Sequence, residues 1–174
     1  MQEWSLLLYF LVPQLVSQTA RQFDPYRRRI TSPMEALESR IPGLTNTLHP
    51  VIGPWGQPVA GHSTVGPHVR EPDPVNDRML ALGLGVAPWP KSIKGVPLNA
   101  DEFERYARLA GTLRHQMLLP LVTAPGFSQR PVPMQVEQIR QTIRQARERA
   151  ITTLQAEYPR LFYDGLLLKS RITR

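Results

Sequence analysis

The sequence predicts a mostly α-helical protein with little or no β-sheet, in which two long helices span about residues 99–119 and 133–157. In both segments apolar residues recur at spacings of three and four, which gives each helix one apolar side. The chain also contains 18 prolines and 11 glycines in 174 residues, and these residue types interrupt regular structure. We therefore expect a few short helices joined by extended arms rich in proline and glycine.

Composition narrows the class of protein further. The formal net charge is +7 at pH 7, which indicates phosphate-bearing or otherwise acidic partners without naming one. Aromatic residues make up 7% of the chain, so a large compact core is not expected. The sequence has no cysteine, which excludes disulfides, thiolate metal sites and cysteine nucleophiles.

Residues 1–31, the first of three predicted segments, combine an apolar helix with a basic cluster. The apolar part, residues 4–16, is shorter than the roughly 20 residues that cross a bilayer, and Pro13 kinks or ends a helix there. It fits a helix packed in a core or against a partner, an interfacial membrane segment, or a signal-like segment. Packing against a partner is favoured, through Trp4, Leu7, Tyr9 and Phe10.

The basic cluster consists of Arg27, Arg28 and Arg29, with Phe23 and Tyr26 beside it. Arginines interleaved with aromatic rings suit phosphate contact and base stacking in nucleic-acid binding. They equally suit carboxylate pairing at a protein interface. The interface interpretation is favoured, because three arginines are too few to be diagnostic of nucleic acid.

The second predicted segment, residues 32–98, is an extended arm that contains short helices. Ser32 and Glu35 flank a proline in the pattern of a capping box, so a short helix begins there. A second short helix is expected to begin at Asp73 and to end at Gly83.

Between these helices the arm is expected to run extended over a surface, because residues 42–76 contain seven prolines and five glycines. A tight turn at residues 53–56 presents Trp55, which is either a packing anchor or a ligand-stacking residue. Packing is favoured. Trp55 and Trp89 are the predicted anchors of contacts in this arm.

The third predicted segment, residues 99–174, is a helical hairpin with an apolar tail. Asn99 is the N-cap of the first long helix, and Glu102 is expected to reach back to the cap. Gly111 permits another backbone to approach closely, and Pro120 should kink or end the helix. The predicted apolar stripe consists of Phe103, Tyr106, Ala110, Leu113 and Met117.

The second long helix carries an apolar seam typical of helix–helix packing, and Pro159 ends it. An adjoining side carries Arg140, Arg144 and Arg147, which form either a solvated flank or a surface that contacts DNA; the flank is favoured. The apolar tail that follows is expected to tuck into the core or to dock as a strand. The seam consists of Val136, Ile139, Ile143, Ala146, Ala150 and Leu154.

Motifs for catalysis are missing from the sequence. It has no Gly-x-Ser-x-Gly elbow, no glycine-rich phosphate loop and no His-Glu-x-x-His pair. His62 and His68 lie in a flexible loop, where a metal would lack well-placed ligands. Carboxylates near helix starts are explained by capping and by the helix dipole. We therefore expect no enzymatic activity, no cofactor and no metal.

Two stretches of the chain, taken together, resemble a known family. The first is residues 40–48 (RIPGLTNTL), followed by Pro50 and residues 55–58 (WGQP); the second is residues 94–111 (KGVPLNADEFERYARLAG). They resemble the C-terminal region of a domain found in large polyvalent proteins of tailed bacteriophages, over about residues 23–150. His49 and Gln57 depart from that pattern, which has proline and acidic residues there.

The resemblance implies a structural part of the virion or of its DNA-ejection apparatus. Such a protein would be located in the virion and would assemble with other virion proteins in a multimer. No catalytic residue is carried over by the resemblance.

Three functions follow as expectations. The first is a non-enzymatic phage structural protein, internal or tail-associated, that contacts its neighbours through Trp4, Leu7, Tyr9, Phe10, Trp55 and Trp89. The second is a nucleic-acid-binding module, and the third is a membrane-active ejection component that uses residues 4–16. Contacts with acidic partners or packaged DNA would come from Arg27, Arg28, Arg29, Arg140, Arg144 and Arg147.

Overall fold

The computed structural model describes residues 26–30, 32–39, 44, 47–61 and 72–172, with side chains described as far as residue 165. These residues fall into two compact units. The first unit contains the described residues up to Val51 and those from Pro58 to 61. The second unit contains Ile52–Gln57 and the described residues from 72 onward.

In the first unit, helix α1 (Pro33–Glu38) begins with the predicted capping box, in which the Ser32 side chain accepts from the Glu35 N–H and Glu35 bonds back to the Ser32 N–H. The rest of the unit is extended backbone. The Arg27 N–H donates to the Val59 carbonyl at 2.8 Å, and the Val51 N–H donates to the Arg27 carbonyl at 2.7 Å. Backbone hydrogen bonds therefore hold the extended segments of the first unit together.

The second unit is mostly helical, which confirms the predicted fold class. Its strands are a single two-residue pair, β1 (Ser92–Ile93) and β2 (Val96–Pro97), in antiparallel register. The described residues of this unit also form four helices and one 3-10 turn, Phe127–Gln129. The helices span Pro74–Ala81 (α2), Ala100–Val122 (α3), Val132–Glu157 (α4) and Pro159–Ile172 (α5).

Helices α3 and α4 are the two predicted long helices. Arg105 near the start of α3 pairs with Glu157 at the end of α4 at 2.6 Å, so the helices run antiparallel. Asn99 caps α3 with Glu102 as its reciprocal partner, as predicted. The helix continues two residues beyond Pro120, because a missing N–H near the last turn removes only one of its final hydrogen bonds.

Helix α3 lies between two apolar clusters. One cluster joins it to the hairpin, α4 and α5, and the other joins it to Trp55, α2 and the turn before α4. The first contains Ile93, Val96, Tyr106, Ala110, Ala150, Leu154 and Leu161. The second contains Trp55, Val75, Met79, Leu118, Phe127 and Ile139.

The predicted apolar stripe of α3 is partly wrong. Phe103, Leu113 and Met117 are only half-buried. Neighbouring elements cover α3 on more than one side. The buried arc of the helix is therefore wider than the predicted stripe, and it includes small and charged residues. The buried residues are Glu102, Tyr106, Ala107, Ala110, Gly111, Arg114 and Leu118.

The predicted close approach at Gly111 is confirmed, and its partner is Gly56. A Cβ added to Gly111 would lie 2.1 Å from the Gly56 nitrogen, which leaves no room for a side chain. Gly56 itself has φ +83°, a conformation that only glycine adopts without strain. This contact seats the turn at residues 53–56 directly on α3.

The apolar tail is helical, so the prediction of a docking strand is wrong. Helix α5 starts at Pro159, where proline is favoured at the first helical position. It buries Leu161 in the first cluster and leaves Phe162 and Tyr163 exposed.

Candidate functional site

The aromatic residues predicted to contact partners are used inside the chain where the structure describes them. Trp55 is 7% exposed and its Nε1 donates to the Asn76 Oδ1 at 3.1 Å. Trp89 is half-buried and its Nε1 donates to the Ile52 carbonyl at 3.2 Å. Both indoles therefore hold the second unit together, which for Trp55 is the favoured packing role, while their contacts with a partner stay a prediction. Trp4, Leu7, Tyr9 and Phe10 lie outside the described residues.

The arginines of the basic cluster lie in the first unit. Arg27 is exposed, whereas Arg28 and Arg29 are half-buried. The Arg28 Nη1 donates to the Leu48 carbonyl at 2.8 Å. At least one arginine of this cluster therefore holds the docked arm, which is a structural role that the sequence did not indicate.

The three arginines predicted on one side of α4 are all exposed there. Arg144 pairs with the equally exposed Glu137 at 2.8 Å. Arg140 and Arg147 have no carboxylate within salt-bridge distance in the part of the chain that the structure describes. The predicted basic flank of α4 is therefore present, with two of its charges unneutralised by a near partner.

A second group of residues, which we call the arginine–aromatic cluster, consists of Trp89, Tyr106, Arg114 and Arg147. Helix α3 supplies Tyr106 and Arg114 two turns apart on its buried side, and α4 supplies Arg147. The Arg114 guanidinium carbon lies 4.4 Å from the centre of the Trp89 ring, within cation–π range. Trp89 and Tyr106 meet edge to face with ring centres 6.0 Å apart.

The charges of this cluster act on one another. Burial raises the pKa of the Tyr106 phenol, and the positive charges of Arg147 and Arg114 counteract part of that shift. Burial also lowers the pKa of Arg114, and the like charge of Arg147 lowers it further. The charges of Arg114 and Arg147 therefore both act on the Tyr106 phenol, and Ala150, one turn after Arg147 on α4, packs in the same apolar cluster as Tyr106.

Arg114 lacks an acidic partner although it is only 8% exposed. Its Nη1 donates to the Pro54 carbonyl at a long 3.4 Å. Neither its Nε nor its Nη2 has a hydrogen-bond partner among the described residues, and no carboxylate there pairs with it. Because a buried charge is costly unless it is paired, this arrangement calls for a physical explanation.

Sequence analysis did not single out Arg114. It lies eight residues after Tyr106 and four before Leu118, so helical spacing places it in the middle of the buried arc. This residue could have been identified from the sequence, because an arginine stands in the centre of an apolar helical arc.

A buried carboxylate lies near the start of the same helix. Glu102 is 1% exposed, and its carboxylate accepts from Arg160 Nε at 2.7 Å, from Arg160 Nη2, and from the Asn99 N–H at 2.9 Å. Burial raises the pKa of Glu102, but the hydrogen bonds from Arg160 and Asn99, with the Arg160 charge, bring the pKa below its ordinary value. The pair ties α5 to the beginning of α3.

A histidine–aspartate contact also lies in the second unit. His115 Nε2 is 3.2 Å from Asp73 Oδ1, and the same oxygen accepts from the Val75 N–H to cap α2. Asp73 Oδ2 accepts from Asn76, which in turn holds Trp55. The His115 ring packs edge-on against Trp55 at 5.5 Å. These contacts fix α2 and the Trp55 turn on α3, so we assign them a structural role.

The described surface of α3 and α4 also carries a shallow, open depression. Its lining includes one carboxylate and one guanidinium, without convergent hydrogen-bond donors. Among the described residues no group of three or more histidine, aspartate or glutamate side chains could hold a metal. His62 and His68 lie outside those residues. The depression is lined by Leu113, Gln145, Glu148, Arg149, Thr152 and Thr153.

No family model, curated protein or solved structure matches this chain. None of the helices in the described ranges is long and apolar enough to cross a membrane.

Proposed function

We propose that the chain is a non-enzymatic structural component of a tailed-phage virion. It would be internal or tail-associated, linked to DNA ejection, and would work by binding other virion proteins in a multimer. The proposal takes its viral setting from the family resemblance and its mode of action from exposed apolar side chains.

The observation that carries the mode of action is the exposure of α1. Met34 is 65% exposed and Leu37 is 58% exposed, and none of the six residues of this helix is buried. The two side chains are three residues apart, so they lie on the same side of the helix. A six-residue helix is far shorter than the roughly 12 residues that isolated helices need, and most helical stability comes from packing. A partner surface over Met34 and Leu37 would supply that packing.

The geometry of the resembling stretches also supports the proposal. Gly56, in the WGQP element, packs against Gly111 at the end of the second resembling stretch. Two separate parts of the pattern therefore form one structural element, as is expected of one motif.

Incorporation into particles tests the proposal. We expect the full chain to be present in purified particles of the phage that encodes it, and a Met34→Ser, Leu37→Ser double variant to be depleted at least tenfold. The matched control is Leu80→Ser, which changes a single exposed leucine of α2 and should be incorporated normally. Absence of the wild-type chain from particles would contradict the viral setting. Equal incorporation of both variants would contradict the role of α1.

A second candidate function is nucleic-acid binding, which the unpaired charges of Arg140 and Arg147 on α4 favour. Removing a phosphate-contacting arginine weakens binding to all sequences and reduces the salt slope by about 1. We therefore expect the Arg140→Gln, Arg147→Gln double variant to lose about 2 from the slope of log K against log salt for a DNA duplex. A salt slope equal to that of the wild type would argue against this function.

A membrane-active role through residues 4–16 stays a prediction, because that segment lies outside the described residues.

A further inference from the structure

The Nε and Nη2 atoms form one edge of the Arg114 guanidinium, and this edge has no hydrogen-bond partner among the described residues. Two other arginines of the second unit bind carboxylates through the same edge. Arg105 donates from Nε at 2.7 Å and from Nη2 at 2.6 Å to Glu157, and Arg160 donates from both nitrogens to Glu102. Such forked pairs are the strong form of an arginine hydrogen bond. Arg114 has the same edge with neither nitrogen paired among the described residues.

The Arg114 guanidinium is held in place by its other contacts. The guanidinium carbon lies 4.4 Å from the centre of the Trp89 ring, and the Pro54 carbonyl accepts from Nη1. Pro54 belongs to the turn that the Gly56–Gly111 contact seats on α3. A side chain fixed in this way loses little conformational entropy when it binds a ligand, so the edge is preorganised.

The carboxylates closest along α3 are already engaged. Glu102 is taken by Arg160, and Glu104 pairs with Arg108 at 2.8 Å. Arg147 is exposed, has no carboxylate partner in the described ranges, and lies one turn before Ala150, which packs in the same apolar cluster as Tyr106. In the described ranges the second unit therefore presents two guanidinium groups, one on α3 and one on α4, with no carboxylate paired to either.

We propose that Arg114 and Arg147 bind a phosphate group, with Tyr106 and Trp89 as positioning residues. The charge balance favours phosphate over carboxylate. In this protein one guanidinium suffices for one carboxylate, as the Glu102–Arg160 pair shows. Two guanidinium groups match the charge of about −2 that a phosphate monoester carries at neutral pH. The proposal does not rest on the assembly role.

Inorganic phosphate titrated into the full chain at constant ionic strength is the first probe, with the arginine Nε–H signals observed by NMR. We expect the Nε–H signals of Arg114 and Arg147 to move together on one binding curve. We expect Arg147→Gln to weaken that binding at least tenfold. Arg147 is exposed on α4, so this variant should keep the wild-type fold.

Arg149→Gln is the matched control, because it removes the same charge from the same helix about 200° away around its axis. We expect it to bind phosphate within twofold of the wild type. Equal weakening by Arg147→Gln and Arg149→Gln would mean that phosphate samples the general positive surface, and would overturn the site.

Arg114→Lys tests the forked edge itself, because lysine keeps the charge and removes the planar fork. We expect at least a tenfold loss of phosphate affinity, with the circular dichroism of the wild type. If this variant fails to fold, the comparison of Arg147→Gln with Arg149→Gln decides the proposal.

Two further probes identify the source of the phosphate group. A short single-stranded oligonucleotide that displaces phosphate only when it carries a 5′-phosphate, and whose binding also depends on Arg147, would assign the site to the phosphate monoester at a nucleic-acid end. Phosphate binding that the oligonucleotide does not displace would assign it to a small phosphate ester. Acetate binding as tight as phosphate would overturn the choice of ligand and indicate an acidic peptide.

Discussion

Helix α3 buries two charged residues, and the chain treats them differently. Glu102 near its start is 1% exposed and receives a forked pair from Arg160, which lies 58 residues away. Arg114 near its other end is 8% exposed and has only an aromatic face and a long hydrogen bond to a carbonyl. The first charge is paired within the chain, whereas the second has no carboxylate partner among the described residues.

On this helix one buried charge contributes to stability, and the other is available to bind a ligand. At Glu102 the favourable pairing is already realised, so the residue contributes to stability and has no capacity left for a ligand. At Arg114 the cost of desolvation is met only in part, so the residue has the capacity to bind. Substitutions that disrupt the surroundings of Glu102 or of Arg114 should therefore change the free energy of unfolding by different amounts.

The largest expected loss of stability comes from Gly111→Ala. This substitution disrupts the contacts around Arg114 and leaves the Glu102–Arg160 pair in place. The added methyl would collide with the Gly56 backbone, which cannot move away as a side chain could. Lifting the turn would also withdraw the Pro54 carbonyl from Arg114. We expect the free energy of unfolding to fall by about 3 kcal/mol, measured by urea denaturation.

Gly85→Ala is the control for this substitution, because nothing lies within 4 Å of a Cβ added there. We expect it to change stability by less than about 0.5 kcal/mol. If Gly111→Ala were as mild as the control, the close approach of the two glycines would be refuted.

A smaller loss is expected from Glu102→Gln, which keeps the shape of the side chain and removes its charge. Hydrogen bonds between charged groups contribute about 2 kcal/mol, and Arg160 stays partly hydrated after the substitution. We expect a loss of about 2 kcal/mol in the same assay. Glu137→Gln removes a carboxylate from a fully surface pair and should cost less than about 0.5 kcal/mol.

The pH dependence of stability follows from the same pair. Since the pKa of Glu102 is lower in the folded chain than its ordinary value of 4.5, its contribution to stability is full above that value. The contribution is lost as pH falls from 4.5 through the lowered pKa, because the carboxyl must then protonate. Thermal unfolding from pH 7 to pH 2 should therefore show a shallower acid decline for Glu102→Gln than for the wild type. Parallel curves would show that Glu102 does not titrate differently on folding.

The smallest effect is expected from Arg114→Met. Replacing a buried, unpaired charge with an apolar side chain of similar length is often neutral or stabilising, and here it also removes a cation–π contact of about 1 kcal/mol. We expect the free energy of unfolding to stay within about 1 kcal/mol of the wild type. A loss of about 3 kcal/mol would mean that the chain itself supplies a counter-charge to Arg114, and the contrast with Glu102 would disappear.

The sequence by itself determined the features that depend on neighbouring residues. The caps at Ser32, Asp73 and Asn99 and the long helices α3 and α4 were predicted, because capping and periodicity act over three or four residues. The close approach at Gly111 was also predicted, since the missing side chain indicates it without naming the partner.

Only the tertiary structure decided which charged residues are buried and what meets them. Arg114 was missed, the apolar stripe of α3 was placed too far toward Phe103 and Met117, and the hydrogen-bond partners of the two described tryptophans were not predicted. The contacts responsible join residues far apart in the chain, such as Glu102 with Arg160 and Gly111 with Gly56. Local patterns carry no information on such pairs, because the environment of each residue depends on which distant segment packs against it.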